Sequence, residues 1–535
     1  MCGYLLGWDF AGNKLPFDQE IKNQAFNFLR YRGPDEFNLE NFDQGFAVHA
    51  RLNIRGGPSG RQPINSENSA FLYNGELYDI SSNYRSDTQF FYENFQGVVE
   101  QTVALDGIFS AVHVNKERNE VCLVRDKWGT KPLFYAIHNS VLYASSSLRL
   151  LSTLIAPTLD ENAINDYRTL GFFPSFSTPF KEIKKAPIGK ILCLSYQNGS
   201  VHFKDIVLKE DKQNYTGIAS IERAVNSQVI SDVPVGLLLS GGVDSSILAK
   251  LLDKNVNINC FNVTSPDFKN LDERENIKII SKSIKNDIIS LQINIDNLDE
   301  TFKKAIKALD IPVADSSIIL NYAIYEKMRN TKTPVCLTGV GADELFGGYT
   351  RFAVIKYSRF LRIFGMLAPE FILKFLSKCT SNARIQRFLI NKCQNYIDLF
   401  SDSGFNDKST YFVPMQKDAI LKFERQEYLI NALLSFTDGI SMSHSIEARV
   451  PYLSKFIASS EVLNHKYFTS SKRHLKMLRR KIFNAKFNEE KKGFAIKNDE
   501  LGALPDLGNI TNRKDLTEII LIKWLANLGF ILDNS

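Results

Sequence analysis

SDVPVGLLLSGGVDSS, residues 231–246, is the stretch on which the fold turns. An apolar run that breaks at Ser-Gly-Gly and then becomes polar reads as a β-strand delivering the chain into an anion-binding loop and a helix N-terminus. Gly241 and Gly242 let backbone N–H groups approach a phosphate, while the hydroxyls of Ser240, Ser245 and Ser246 add donors at the helix start. The lysine of the GxxxxGK[ST] loop is missing, and Asp244 stands where a carboxylate repels phosphate unless a cation lies between them. A Mg2+ ion bridging Asp244 to phosphate oxygens resolves that conflict. Taken alone, Ser-Gly-Gly leaves open a plain strand–helix turn with a serine cap.

The whole string resembles the pyrophosphate loop of the ATP pyrophosphatases, which cleave ATP between its α and β phosphates. A second segment, TGVGADELFGGYTRF (338–352), follows the strand-like TPVCL and offers Gly339 and Gly341 for another close turn, with Asp343 and Glu344 beside them. Two acidic glycine loops at the carboxyl ends of strands in one α/β sheet mark a ligand crevice, so Asp244 and Asp343 are assigned to one Mg2+–pyrophosphate site.

Outward from these loops the texture divides the chain. From about residue 216, strand-like runs (NINCFNVT, DIISLQIN) alternate with helical ones (SSILAKLLDK, NIKIISKSIK), which predicts a parallel sheet covered by helices. After about residue 350, amphipathic helices dominate. The first 195 or so residues instead carry short β-type runs punctuated by Gly, Asn and Pro, as expected of layered sheets. The expected domains are 1–200 and 215–535.

Composition narrows the function classes. The 535 residues carry 65 basic and 59 acidic side chains, a small charge of +6 that argues against nucleic-acid binding. No run of 18 apolar residues occurs, and RFLRIFGMLAPEFILKFL (359–376) is interrupted by Arg359, Arg362, Glu370 and Lys374, so an amphipathic helix pair is expected and no membrane role. The N-terminus lacks a basic n-region and Asp9 breaks its apolar stretch, which predicts a cytoplasmic protein. Seven widely spaced cysteines without a CxxC pair argue against a disulfide framework, zinc or iron–sulfur site, and the seven histidines form no HExxH cluster.

Cys2 stands out once Met1 is removed, because an α-amine titrating near 8 can act as general base for its own thiol, which titrates near 8.5. Its company is YRGPDEF (31–37), HARLNI (49–54), NGELYD (74–79), SDT (86–88), LDGIFSAV (105–112) and VRDKWGTKPLFYA (124–136). These occur in the order and approximate spacing of the class II glutamine amidotransferases. With the pyrophosphate loop downstream, and with DIPVADSS (310–317), SMSHSIEARVPYL (441–453) and KKGF (491–494), the chain resembles the glutamine-hydrolysing asparagine synthetases over nearly all of its length.

The resemblance implies a four-layer αββα glutaminase domain of the Ntn-hydrolase type followed by a parallel-sheet ATP-pyrophosphatase domain. It implies that Cys2 attacks the side-chain amide of glutamine, with the Asn74 amide and the Gly75 N–H as oxyanion hole. Arg51 suits the α-carboxylate of glutamine, and Glu76 and Asp106 its α-ammonium. Ammonia then crosses an internal tunnel to an acyl-adenylate. Leu238, Val263 and Gly339 fall at positions lining the nucleotide site, although Leu238 and Val263 also read as sheet core, and Lys491 matches a lysine near the reacting carboxylate. ATP, Mg2+, glutamine and aspartate are the implied cofactors and substrates, and family members are often dimers.

Three departures qualify this picture. Val340 stands where most relatives have Glu or Asp between the two glycines, Asp310-Ile311-Pro312 replaces the family's Asp-Glu-Pro, and the segment from Asn74 to Ser86 is short. Losing an acidic group beside the reacting centre commonly costs on the order of 10²–10⁴ in rate. A different carboxylate acceptor, such as a uronic acid of a surface polysaccharide, and a non-catalytic regulatory relative are therefore the alternatives to asparagine synthesis. A nucleic-acid-modifying pyrophosphatase would use the same loop but would leave Cys2 unexplained.

Overall fold

The structure, a computed structural model, describes residues 2–80, 83–197, 199–210, 214–253, 258–265, 267, 273–293, 298–380, 383–400, 411–488, 496, 501 and 513–532. Among the described residues the strands form three sheets. The first two, both antiparallel, lie in the N-terminal part. One runs, in spatial order, Ile183–Lys185, Phe134–His138, Val141–Ser145, Cys2–Asp9, Gly45–Arg51 and Glu36–Phe42. The other runs Ser200–Val207, Lys190–Gln197, Glu120–Arg125, Gly107–Asn115, Ser69–Leu77 and Ile64–Asn65.

Every residue of Cys2–Asp9 is buried, because both faces of its sheet are covered. Tyr4, Leu6 and Trp8 point into a core shared with Leu72, Val112, Val121 and Leu123 of the second sheet, whereas Leu5 packs in the cluster with Leu29 and Leu151 of the helices Gln19–Leu29 and Leu148–Ile155. Side chains alternate across a strand, so one strand serves two layers. On the far side Phe71, Tyr73 and Phe109 meet Phe91 and Phe95 of the helices Asp87–Glu93 and Phe95–Val99. The result is helix, sheet, sheet, helix: the expected αββα arrangement.

Cysteine counting is corrected at one point. Cys122 and Cys193 are directly opposite each other in neighbouring strands and form a disulfide. They are 71 residues apart in sequence, so only strand register could reveal the pair.

The third sheet is wholly parallel, in the order Ile288–Gln292, Asn259–Thr264, Val235–Leu238, Val335–Leu337, Glu447–Arg449. From Val235–Leu238 the chain winds outward one way through the next two strands, then returns to the other side at Val335–Leu337. The winding direction therefore reverses between those two strands, and a crevice opens at their carboxyl ends. Both glycine loops emerge there. No helix among the described residues is long and apolar enough to cross a membrane.

Candidate active sites

The first site is built on the start of Cys2–Asp9 and the middle of Ser69–Leu77. The Cys2 N–H donates to Asn74 Oδ1 at 2.9 Å, and Arg32 Nε donates to the Cys2 carbonyl at 3.1 Å. Because Asn74 Oδ1 accepts from Cys2, its Nδ2 is turned the other way, buried and without a protein partner among the described residues. An amide N–H held so is a donor set out for a ligand oxygen.

Strand register positions Gly75 as well. Phe109, opposite Gly75, spends its N–H on Asp126 Oδ2 and its carbonyl on the Asp126 N–H. On the edge of Ser69–Leu77 away from that neighbour, the Tyr73 N–H donates to Gln62 Oε1, the Tyr73 carbonyl meets His49 Nε2 at 3.1 Å, and the Leu77 N–H donates to Asp87. Gly75 shares this parity, so its N–H also faces the free edge, one residue from the Asn74 amide. A side chain at Gly75 is excluded, since a Cβ there would sit 2.2 Å from the Ile108 carbonyl oxygen.

Burial pushes the Cys2 thiol up, but neighbouring positive charge, that of His49 foremost, outweighs it, and the thiol settles at about 7. A thiol so placed is primed to ionise near neutral pH. Glu76 is buried between Arg55 Nη1 at 2.6 Å and Arg449 Nη2 at 3.6 Å. Burial and the Asp87 carboxylate push it up to about 8 against those arginines. Asp106 precedes the strand paired with Ser69–Leu77, its carbonyl accepting from the Tyr78 N–H at 2.8 Å. The buried Arg51 guanidinium donates to Glu36 Oε1 at 3.0 Å, Asn53 Oδ1 at 2.9 Å and the Gly57 carbonyl at 2.5 Å.

The second site is a cavity of about 480 Å³ over the carboxyl ends of the parallel strands. Leu238, Ser240, Gly242, Asp244, Ser245, Val263, Gly339 and Asp343 line it, as does Val340. Gly241 (φ +82°) makes the turn, and a Cβ there would meet Glu273 at 2.9 Å. Ser240 Oγ lies 3.1 Å from Ser245 Oγ and accepts the Gly242 N–H at 3.3 Å, which ties the loop to the first turn of Val243–Leu252. Ser246 stands behind the loop, its hydroxyl donating to the Gly242 carbonyl. Lys491 lies outside the described residues.

Asp244 and Asp343 are brought together as the loops suggested, on a partner that the loops did not reveal. The Lys472 ammonium sits 2.7 Å from Asp244 Oδ2 and 2.8 Å from Asp343 Oδ1. Burial lowers the Lys472 pKa, but the two aspartates outweigh it and hold it well above the usual lysine range. Lys472, Lys476 and Arg479 all line the cavity, and their spacing of four and three puts them on one face of the Arg473–Phe483 helix and its preceding cap. That cationic stripe was readable from the sequence; its destination was not. Glu344 is buried behind Asp343, accepts from the Tyr349 hydroxyl at 2.5 Å, and is pushed up to about 7 by burial and then by Asp343.

The two halves meet through buried polar contacts. Asp438 receives Arg32 at 2.8 Å and Lys131 at 3.2 Å, and Trp128 Nε1 donates to the Leu453 carbonyl at 2.9 Å. Asp310, of the altered Asp-Ile-Pro, accepts from Ser147 Oγ and the Leu148 N–H at 2.7 and 2.9 Å, so it joins the two halves and caps a helix.

Comparison with known proteins gives matching results in both halves. The family described as Asparagine synthase matches residues 218–492, just over half of the chain, and the Glutamine amidotransferase domain family matches residues 1–205. The chain is 27% identical over 522 residues to "Asparagine synthetase [glutamine-hydrolyzing] 1" of Bacillus subtilis, a match covering 85% of this chain and 80% of that one. It is 28% identical over 395 residues to "Asparagine synthetase [glutamine-hydrolyzing]" of Homo sapiens, covering 66% and 67%. It is also 24% identical over 373 residues to "Amidase chry2" of Gibberella zeae, covering 61% and 55%.

Proposed function

The chain belongs to the asparagine synthase family, and from that membership we propose that it is a glutamine-hydrolysing carbon–nitrogen ligase that amidates a carboxylate at the expense of ATP, converting aspartate to asparagine in the cytoplasm. One observation carries this reading: a cysteine near the chain start beside a primed amide, and an acidic pyrophosphate-type crevice, occur in one chain whose two halves meet across a buried interface.

In the first half, the Cys2 thiolate attacks the side-chain carbonyl carbon of glutamine. Asn74 Nδ2 and the Gly75 N–H receive the oxygen as it becomes negative; a donor of this kind is worth on the order of 10²–10³ in rate. Ammonia leaves, and water releases glutamate from the thioester. Glu76 and Asp106 take the α-ammonium, and Arg51 takes the α-carboxylate by sharing a guanidinium now committed to Glu36 and Asn53.

In the second half, an oxygen of the acceptor carboxylate displaces pyrophosphate from the α-phosphorus of ATP, and ammonia then displaces AMP from the acyl-adenylate. The 240–245 loop and Lys472 hold the leaving pyrophosphate, while Leu238, Val263 and Gly339 line the nucleotide. Asp244 and Asp343 fit Mg2+, because two hard carboxylates converge close enough to share one cation. Bound there, Mg2+ would neutralise phosphate charge. Lys491 is assigned to the reacting carboxylate.

A second reading, a different carboxylate acceptor such as a uronic acid, is favoured by Val340. It presents an apolar side chain to the cavity where most relatives have Glu or Asp. With ATP, Mg2+, glutamine and aspartate, the purified protein is expected to form AMP, pyrophosphate, glutamate and asparagine in equal amounts. Pyrophosphate release only with another acid would overturn aspartate and keep the ligase. If no acid supports pyrophosphate release, even after Val340→Glu, the ligase reading gives way to a regulatory one.

A further inference from the structure

Positive charge gathers in two stretches, residues 472–488, three of whose cations line the cavity over the parallel sheet, and residues 353–392. Residues 353–392 hold eight Lys and Arg against the single acidic Glu370, a net +7, whereas the whole chain is +6; the remainder is close to neutral at −1. The segment forms the helices Ala353–Leu367, Glu370–Lys378 and Ala383–Ile390.

The same segment carries half of the large apolar side chains exposed among the described residues. Leu367 is 78% exposed, Phe371 72%, and Phe360 and Phe375 66% each. The exposed residues follow helical spacing. In the first helix Tyr357, Phe360, Ile363 and Leu367 recur at three- and four-residue intervals, and in the second Phe371 and Phe375 are four apart, beside Lys374 and Lys378 at the same interval. Each helix is anchored by its opposite face: Gly365 abuts the Lys392 carbonyl, and Leu373 and Ser377 are buried.

Apolar stripes flanked by cations, on helices of 15 and 9 residues, are too short to span a bilayer and are suited to lie in its interface. We propose that the 353–378 helix pair docks this protein on an anionic phospholipid surface, with Phe360, Leu367, Phe371 and Phe375 entering the acyl boundary and the Lys and Arg side chains meeting lipid phosphates. Charge decides against the same face of a second copy as occupant, since docking it would oppose +7 to +7. The absence of an 18-residue apolar run excluded a spanning helix; it did not bear on an interfacial one.

The test is co-sedimentation of the full chain with vesicles of phosphatidylcholine alone or with about one-third phosphatidylglycerol. Binding is expected only to the anionic vesicles and is expected to fall steeply with salt. Phe371→Asp and Phe375→Asp should each weaken it by about tenfold or more, and Lys374→Glu and Lys378→Glu by about fivefold per charge removed, all with glutamine hydrolysis unchanged. Failure to pellet with anionic vesicles, or equal pelleting with neutral ones, overturns the proposal. So does a dimer, seen by analytical ultracentrifugation, that the Phe→Asp variants convert to monomer.

Discussion

Arg449 Nη2 lies 3.6 Å from Glu76 Oε2 and so ties the edge strand of the parallel sheet to the strand Ser69–Leu77 of the first half. The same residue is fully buried, holds Glu447 Oε1 through Nε at 2.5 Å, and donates through Nη1 to the Gln228 and Ile230 carbonyls at 2.6 and 2.8 Å. Its own carbonyl accepts from the Thr338 N–H at 2.9 Å, immediately before Gly339 and Val340 of the cavity over the parallel sheet. Lysine cannot reproduce the fork, so Arg449→Lys is expected to raise the KM for glutamine by about tenfold, the effect of losing a charge-assisted contact. The ammonia-dependent KM for the acceptor is expected to stay unchanged. Steady-state kinetics with each nitrogen source check this.

Glutaminase activity should follow ionisation of Cys2. The thiolate grows as pH rises through about 7, so the acid limb of the pH profile is expected to be centred there. His49 lowers the thiol, and His49→Gln should therefore move that limb to higher pH. An unshifted profile in a folded variant would show that His49 does not set the thiol. Cys2→Ala should abolish glutamate release and leave ammonia-dependent pyrophosphate release intact.

Asp343→Asn should reverse that pattern. It removes one of the two carboxylates on Lys472, and pyrophosphate release is expected to fall by on the order of 10² or more while basal glutaminase survives. Chelating Mg2+ should have the same selectivity. Equal pyrophosphate release by Asp343→Asn and the parent protein would locate the ion on other groups.

Asp438→Ala should destabilise the fold by about 3–5 kcal/mol, because it leaves Arg32 and Lys131 buried without their shared carboxylate. Burial raises the Asp438 pKa, but Arg32 and Lys131 outweigh it and hold the carboxyl below its usual range. Its contribution is therefore complete above the unfolded-state value near 4 and is lost as pH falls through the lower folded-state value. Denaturant melts of parent and variant should converge as pH drops below about 4.

Much of the molecule was legible from local pattern. SGGVDSS and TGVGADE are contiguous strings whose glycines, hydroxyls and carboxylates act within one turn, and alternation of strands with helices already implied a parallel sheet with those strings at its strand ends. The αββα layering of the first half rested on the resemblance, since short strands alone do not report which sheet they join. What tertiary structure decided is everything that depends on register and on distant chain segments. Lys472 lies 228 residues from the Asp244 it neutralises, Arg449 belongs to the edge strand but serves Glu76, and Cys122 meets Cys193 only through strand pairing. Such contacts arise because buried charges and donors must find partners wherever packing brings them, and packing is set by the whole core rather than by neighbours in sequence.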